Sequence, residues 1–250
     1  MKDTNIANTT KRIVFLDTVR GALLILVILF HLAYDLHMIF GVRLSIMQGK
    51  GIYVFRDCFV SLLILLSGVC CNLSRSNVKR GVKTLGCGFV ISLVTGIFMP
   101  DEFVLFGILH FFGTAMILFG LLEKPVEKIN KVLGVIIMLV LFFVTFDIYM
   151  TDTVEVFGIG AHEGLWKYLL FFAGFNTVCL SGDYYPLMPW LFMFFAGGFL
   201  GRGIKEKKLP KIFYGEYCPP LTWIGRHTLW IYMVHQPVIY GVLYLFFVIL

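Results

Sequence analysis

The chain has 250 residues and a formal net charge of +6, with a mean hydropathy of +0.87; 59% of its residues are hydrophobic and only 14% charged. Water-soluble domains carry about a quarter charged residues, so this composition excludes a soluble globular fold and points to a membrane protein. Basic charge spread between long apolar runs needs no nucleic-acid partner to explain it.

The first ten residues are polar and lead into an apolar span with no small-residue cleavage site, so 1–12 reads as a short cytoplasmic tail. Runs long enough to cross a bilayer, about 17–25 residues, follow at Ile13–Phe40, Val54–Leu73, Val82–Phe98, Phe103–Leu122, Val132–Met150, Leu187–Leu200 and Ile224–Leu250. A shorter stretch, Leu165–Phe175, suits an interfacial or re-entrant helix. The predicted fold is all-α, a polytopic bundle of about seven transmembrane helices (eight if Leu165–Phe175 also crosses), forming one domain over 1–250.

Charge asymmetry orients it. The tail, the loops after spans two and four, and the loop before the last span together hold fifteen Lys and Arg. The opposite side holds only Arg43, Lys50 and Lys167. The positive-inside rule then places the N-terminus in the cytoplasm. Pro100 is expected to end span three at a tight turn, and Pro219-Pro220 to stop the basic loop before the last span. The six cysteines show no CxxC or Cys/His ligand spacing; they read as buried small residues, with no disulfide framework and no metal.

Span one carries four ionisable residues, Asp17, Arg20, His31 and Asp35. At 100° per residue they fall within an arc of roughly 60°, one face of one helix. Ionisable groups in lipid are costly and normally face a protein interior or a water-filled path. Asp17 and Arg20, three residues apart, allow an ion pair at the cytoplasmic end. His31 and Asp35 lie one turn apart in the outer half, where a carboxylate beside an imidazole makes a general base. In span four, His110 lies about 10 Å in from the outer end at 1.5 Å per residue, a depth similar to that of His31. The bland alternative is that these are interhelical packing polars.

Arg56 and Asp57 open span two from outside, with Ser67-Gly68 near its inner end. Trp190, after Tyr184 and Tyr185, belongs to an aromatic belt or to the wall of an outer pocket. Arg75, Lys79, Arg80 and Lys83 record topology and would also suit an anionic cytosolic ligand such as a coenzyme phosphate. Pro237 should kink the last helix near His235 and Gln236, which become candidate lining.

Several stretches then look familiar in order. They are Phe15-Leu16-Asp17-Thr18-Val19-Arg20-Gly21 running on to His31, Ser67-Gly68, Gly107-Ile108-Leu109-His110, Pro186-Leu187-Met188-Pro189-Trp190, Gly225-Arg226-His227-Thr228 and His235-Gln236-Pro237. Together they resemble the heparan-α-glucosaminide N-acetyltransferase-like family of transmembrane acyltransferases, in its shorter prokaryotic branch. The resemblance implies an enzyme that takes an acyl group from cytosolic acetyl-CoA or another acyl-CoA and passes it to a sugar amine or hydroxyl on the far side. It also implies a histidine essential to transfer. Carried onto this chain, that role falls to His31, alone or shared with His110, with Asp35 in support. Asp17, Arg20, Arg56, Ser67, Arg75, Arg80, Trp190, Arg226, His235 and Gln236 then become candidates for binding donor or acceptor. The expected partners are the bilayer of the plasma membrane, acyl-CoA and a carbohydrate-type acceptor, with a homodimer allowed. The rival class is a proton-coupled transporter that uses the same His/Asp stripe as a proton relay.

Overall fold

The computed structural model describes residues 12–150, 171–174, 183–206 and 209–250. The expected tail and most of Leu165–Phe175 lie outside them. Every regular element among the described residues is a helix. The α-helices are α1 (Val14–Tyr34, continued by a π-turn over Asp35–Ile39), α2 (Lys50–Cys71), α3 (Asn77–Phe98), α4 (Ile108–Leu121), α5 (Glu123–Lys128), α6 (Lys131–Met150), α7 (Trp190–Glu206), α8 (Pro219–Arg226) and α9 (Thr228–Tyr244).

Among the described residues, four helical segments are long and apolar enough to cross a membrane: Val14–Ile39, Lys50–Cys71, Asn77–Phe98 and Thr228–Ile249. Ile108–Leu121 and Lys131–Phe146 are apolar but shorter. The fourth expected span begins five residues late because Ser92 Oγ and Thr95 Oγ1 bind the backbone of Val104 and hold the entering chain out of the helix. The last expected span is also divided. Pro219-Pro220 start a helix of their own, as proline at the first positions allows, and that helix ends before His227. The following α9 runs through Pro237 as one helix. Pro100 does close α3, in a single 3-10 turn over Pro100–Glu102. Of the described cysteines, all free, Cys71 alone is buried; Cys58 is exposed and the others lie between.

The helices gather into two compact units, Met1–Phe40 with Lys208–Leu250, and Gly41–Lys207. In the first, α1 packs against α8 and α9. Asp17-Thr18-Gly21 meets Leu221-Thr222-Gly225 so closely that a methyl on Gly21 would overlap the Leu221 carbonyl, and one on Gly225 the Asp17 carbonyl. With little hydrophobic drive between helices in lipid, such small-residue contact supplies the packing energy. The Thr18 and Thr222 hydroxyls join across this seam at 2.8 Å.

In the second unit α3 packs on α4, and α7 lies between α2 and α6. Gly68 and Gly197 bring α2 and α7 to backbone contact, and Asn72 Nδ2 donates to the Gly198 carbonyl at 2.7 Å. Phe111, Trp190, Phe194 and Phe199 fill the core. The outward face of α3, including Phe89, Leu93, Ile97 and Phe98, is exposed and apolar, as a lipid-facing surface should be.

Candidate functional site

The polar stripe of α1 meets α8 and α9 in two clusters. Asp17 and Asp35 are 18 residues apart, about 27 Å along an ideal helix, so the clusters occupy opposite ends of the unit.

At the first, Asp17 is buried and surrounded by three guanidinium groups. Arg12 donates through Nε at 2.6 Å and Nη2 at 3.1 Å. Arg20 Nη1 lies at 3.9 Å and Arg226 Nε at 3.8 Å, while Arg226 Nη2 also reaches Glu216 at 3.4 Å. The i, i+3 partner expected from sequence is therefore the longest of the three contacts. A carboxylate so placed orients the cations and leaves a local excess of positive charge. Arg12 belongs to the basic tail and Arg226 to the start of the expected last span, so no sequence spacing links either to Asp17.

At the second cluster Asp35 is fully buried at the start of the π-turn. Gln236 Nε2 donates to both of its carboxylate oxygens, each at 2.9 Å. One turn earlier, the half-buried His31 ring meets the His235 ring edge to face, with centroids 5.1 Å apart. His235 is buried, and its Nδ1 lies 2.6 Å from the Tyr232 carbonyl. A carbonyl only accepts, so Nδ1 carries a proton, and in the neutral ring the lone pair lies on Nε2. That Nε2 is buried without a hydrogen-bond partner, as is Gln236 Oε1. The His235-Gln236 pair thus stands beside the His31–Asp35 pair, joined by helix packing across 200 residues of sequence.

His110 lies in the other unit, at the start of α4. The Gly107 N–H donates to its Nδ1 at 3.3 Å, which leaves the ring proton on Nε2, 3.2 Å from Ser92 Oγ. Ser92 in turn donates to the Val104 carbonyl at 2.6 Å. Both ring nitrogens therefore serve the junction of α3 and α4. Asp183 completes this junction: its carboxylate packs on Gly107 and accepts the Ile108 N–H. No spacing in the sequence announced Asp183, because it arrives from 75 residues away.

The remaining candidates are dispersed in the second unit. Arg56 pairs with its neighbour Asp57, through Nη2 at 2.8 Å and Nε at 2.9 Å. Ser67 returns its hydroxyl to the Leu63 carbonyl of its own helix. Trp190 is not in an interfacial belt; it is fully buried against Phe142, Phe146 and Tyr185. Arg75, Lys79, Arg80 and Lys83 are exposed around the start of α3.

Burial pushes the Asp183 carboxyl up to about 6, against the opposing pull of the Ile108 N–H and the Arg56 charge. Its folded value exceeds its unfolded one, so the stability linked to this group is complete below pH 4 and is lost as pH rises through 6. Asp183→Asn keeps an acceptor for Ile108 and removes the charge. The variant is expected to unfold at higher temperature than the parent above pH 6 and alike near pH 4, as read by thermal unfolding in detergent. An equal gap at both pH values would disprove the assignment.

Residues 12–237 match the family model described as heparan-alpha-glucosaminide N-acetyltransferase, catalytic. No curated protein and no solved structure matches the chain. The matched stretch begins at Arg12, spans both α1 clusters and reaches Pro237 just beyond His235 and Gln236. With four membrane-length helical segments among its described residues and a match over nearly its whole length, the chain belongs to the heparan-alpha-glucosaminide N-acetyltransferase catalytic family and is a membrane protein of acetyltransferase type.

Proposed function

We propose that the protein transfers an acetyl or other acyl group from cytosolic acyl-CoA to a sugar amine or hydroxyl on the outer side of the plasma membrane. The observation that carries this reading is the joining of His31 and Asp35 to His235 and Gln236 in one cluster, within a chain of this family. Seven spans with a cytoplasmic N-terminus put the Asp17 cluster on the donor side and the His31 cluster on the acceptor side. CoA phosphates are met by Arg20, Arg226 or the exposed Arg75–Lys83 patch. The thioester reaches toward His31, and the cluster removes the acceptor's proton as it attacks the carbonyl. His110 holds the start of α4, and Arg56, Ser67 and Trp190 shape their own unit.

The test is purified full-length protein in detergent with radiolabelled acetyl-CoA and glucosamine. Thiol release and label transfer are expected, and His31→Ala should reduce the rate by about 10²-fold or more through lost positioning in the reacting cluster. Activity unchanged in both His31→Ala and His110→Ala would refute the site. Proton-driven uptake without CoA binding would instead establish the transporter class.

A further inference from the structure

The cluster contains two buried acceptor atoms without donors, on successive residues: His235 Nε2 and Gln236 Oε1. Leaving such an atom unsatisfied costs about 1–3 kcal/mol, and a histidine kept only for packing would not need its second nitrogen bare. Gln236 has its amide nitrogen committed to Asp35, and His235 has its Nδ1 proton committed to Tyr232. Each side chain is anchored at its donor end, which leaves both free ends as acceptors. A site of this kind calls for a ligand that brings X–H groups. The Nδ1 anchor also fixes the ring and its tautomer, the arrangement in which a backbone carbonyl prepares an imidazole to accept at Nε2. The two rings, 5.1 Å apart centroid to centroid, set His235 beside His31, the residue on which the acyl-transfer reading centres.

We infer that His235 is a catalytic residue, the general base whose Nε2 takes the acceptor's proton, while Gln236 is a positioning residue that holds Asp35 and offers Oε1 to the same donor-bearing group. This rests on the acyl-transfer reading above. As the acceptor X–H gives its proton to Nε2, the X–C bond forms at the thioester carbonyl. The tetrahedral adduct collapses with cleavage of the C–S bond, and the Nε2 proton passes to the departing thiolate. The products are acylated acceptor and CoA thiol, with His235 neutral again, so no oxidant, metal or further reactant is needed. His31 then lies on the acyl side of the reacting pair.

The side-chain nitrogen of asparagine falls where Nδ1 stands and that of glutamine where Nε2 stands. His235→Asn can therefore keep the bond to Tyr232 while removing the base. In the acetyl-CoA and glucosamine assay, His235→Asn is expected to fold with the parent's melting temperature and acetyl-CoA Kd, and to lose about 10²–10⁴-fold in single-turnover rate. A rate within threefold of the parent, or a loss explained by a weakened acetyl-CoA Kd, would overturn the assignment. Should the variant not fold, the unsubstituted protein answers through ¹⁵N-histidine NMR, with resonances assigned by replacing the other histidines singly. An unprotonated Nε2 and protonated Nδ1 at His235 are expected, and the opposite tautomer refutes the base. Absence of thiol release in the parent protein itself would instead remove the acyl-transfer reading.

Discussion

Gly225→Ala is expected to cost the protein about 3 kcal/mol or more, because it drives a methyl into the Asp17 carbonyl at the α1–α8 contact. Overpacking of a tight seam usually costs about 1–3 kcal/mol, and more when the obstacle is backbone that cannot swing aside. Separating the two helices would also pull apart the Thr18–Thr222 bond and move Arg226 away from Asp17. Gly241 supplies the control, since a methyl there meets nothing within 4 Å. Gly241→Ala should be neutral, or stabilising by up to about 1 kcal/mol through helix propensity. The measurement is thermal or denaturant unfolding in detergent micelles with both variants side by side. Equal effects at the two glycines would mean that the close α1–α8 approach does not govern stability.

The second large effect is expected at Asp35. Gln236→Leu removes the donor that serves both of its oxygens, and Asp35 is fully buried. Hydrogen bonds to charged groups contribute about 1.5–3 kcal/mol. We expect a loss of about 2–3 kcal/mol in stability, together with a fall in transfer rate. Replacing both partners, Asp35→Leu with Gln236→Leu, should recover part of the stability but none of the activity, because neither end of this bond is then left without the other. A double-mutant cycle measures the coupling. Strictly additive losses would show that the Gln236–Asp35 bond contributes nothing to the fold.

Much of the local structure was legible in the sequence because lipid narrows the choices. Apolar runs in a bilayer must satisfy their backbone internally, so they form helices. The run Ile13–Phe40 accordingly contains α1 with its π-turn, and α3 ends before Pro100 as expected. Boundaries failed where side chains intervene from elsewhere. Val104 is held by Ser92 and Thr95, so α4 starts at Ile108 and not at Phe103. The aromatic character of Trp190 was plain, but its burial depended on Phe142 and Phe146 arriving on α6. Hydropathy does not separate an aromatic ring facing lipid from one facing protein.

The candidate site divides in the same way. One-face placement of Asp17, Arg20, His31 and Asp35 follows from 3.6-residue periodicity alone, and the penalty for charge in lipid marks that face as the one to be covered. The sequence by itself determined that a polar stripe exists, which residues form it and that the chain lives in a membrane. Only the tertiary structure decided the partners: Arg12 and Arg226 for Asp17, Gln236 for Asp35 and His235 for His31. The reason is physical. Helical periodicity is local and is written in every turn, whereas the choice of partner depends on how closely two distant helices can pack. Here that approach is set by Gly21 and Gly225, small residues whose significance appears only when the backbones meet.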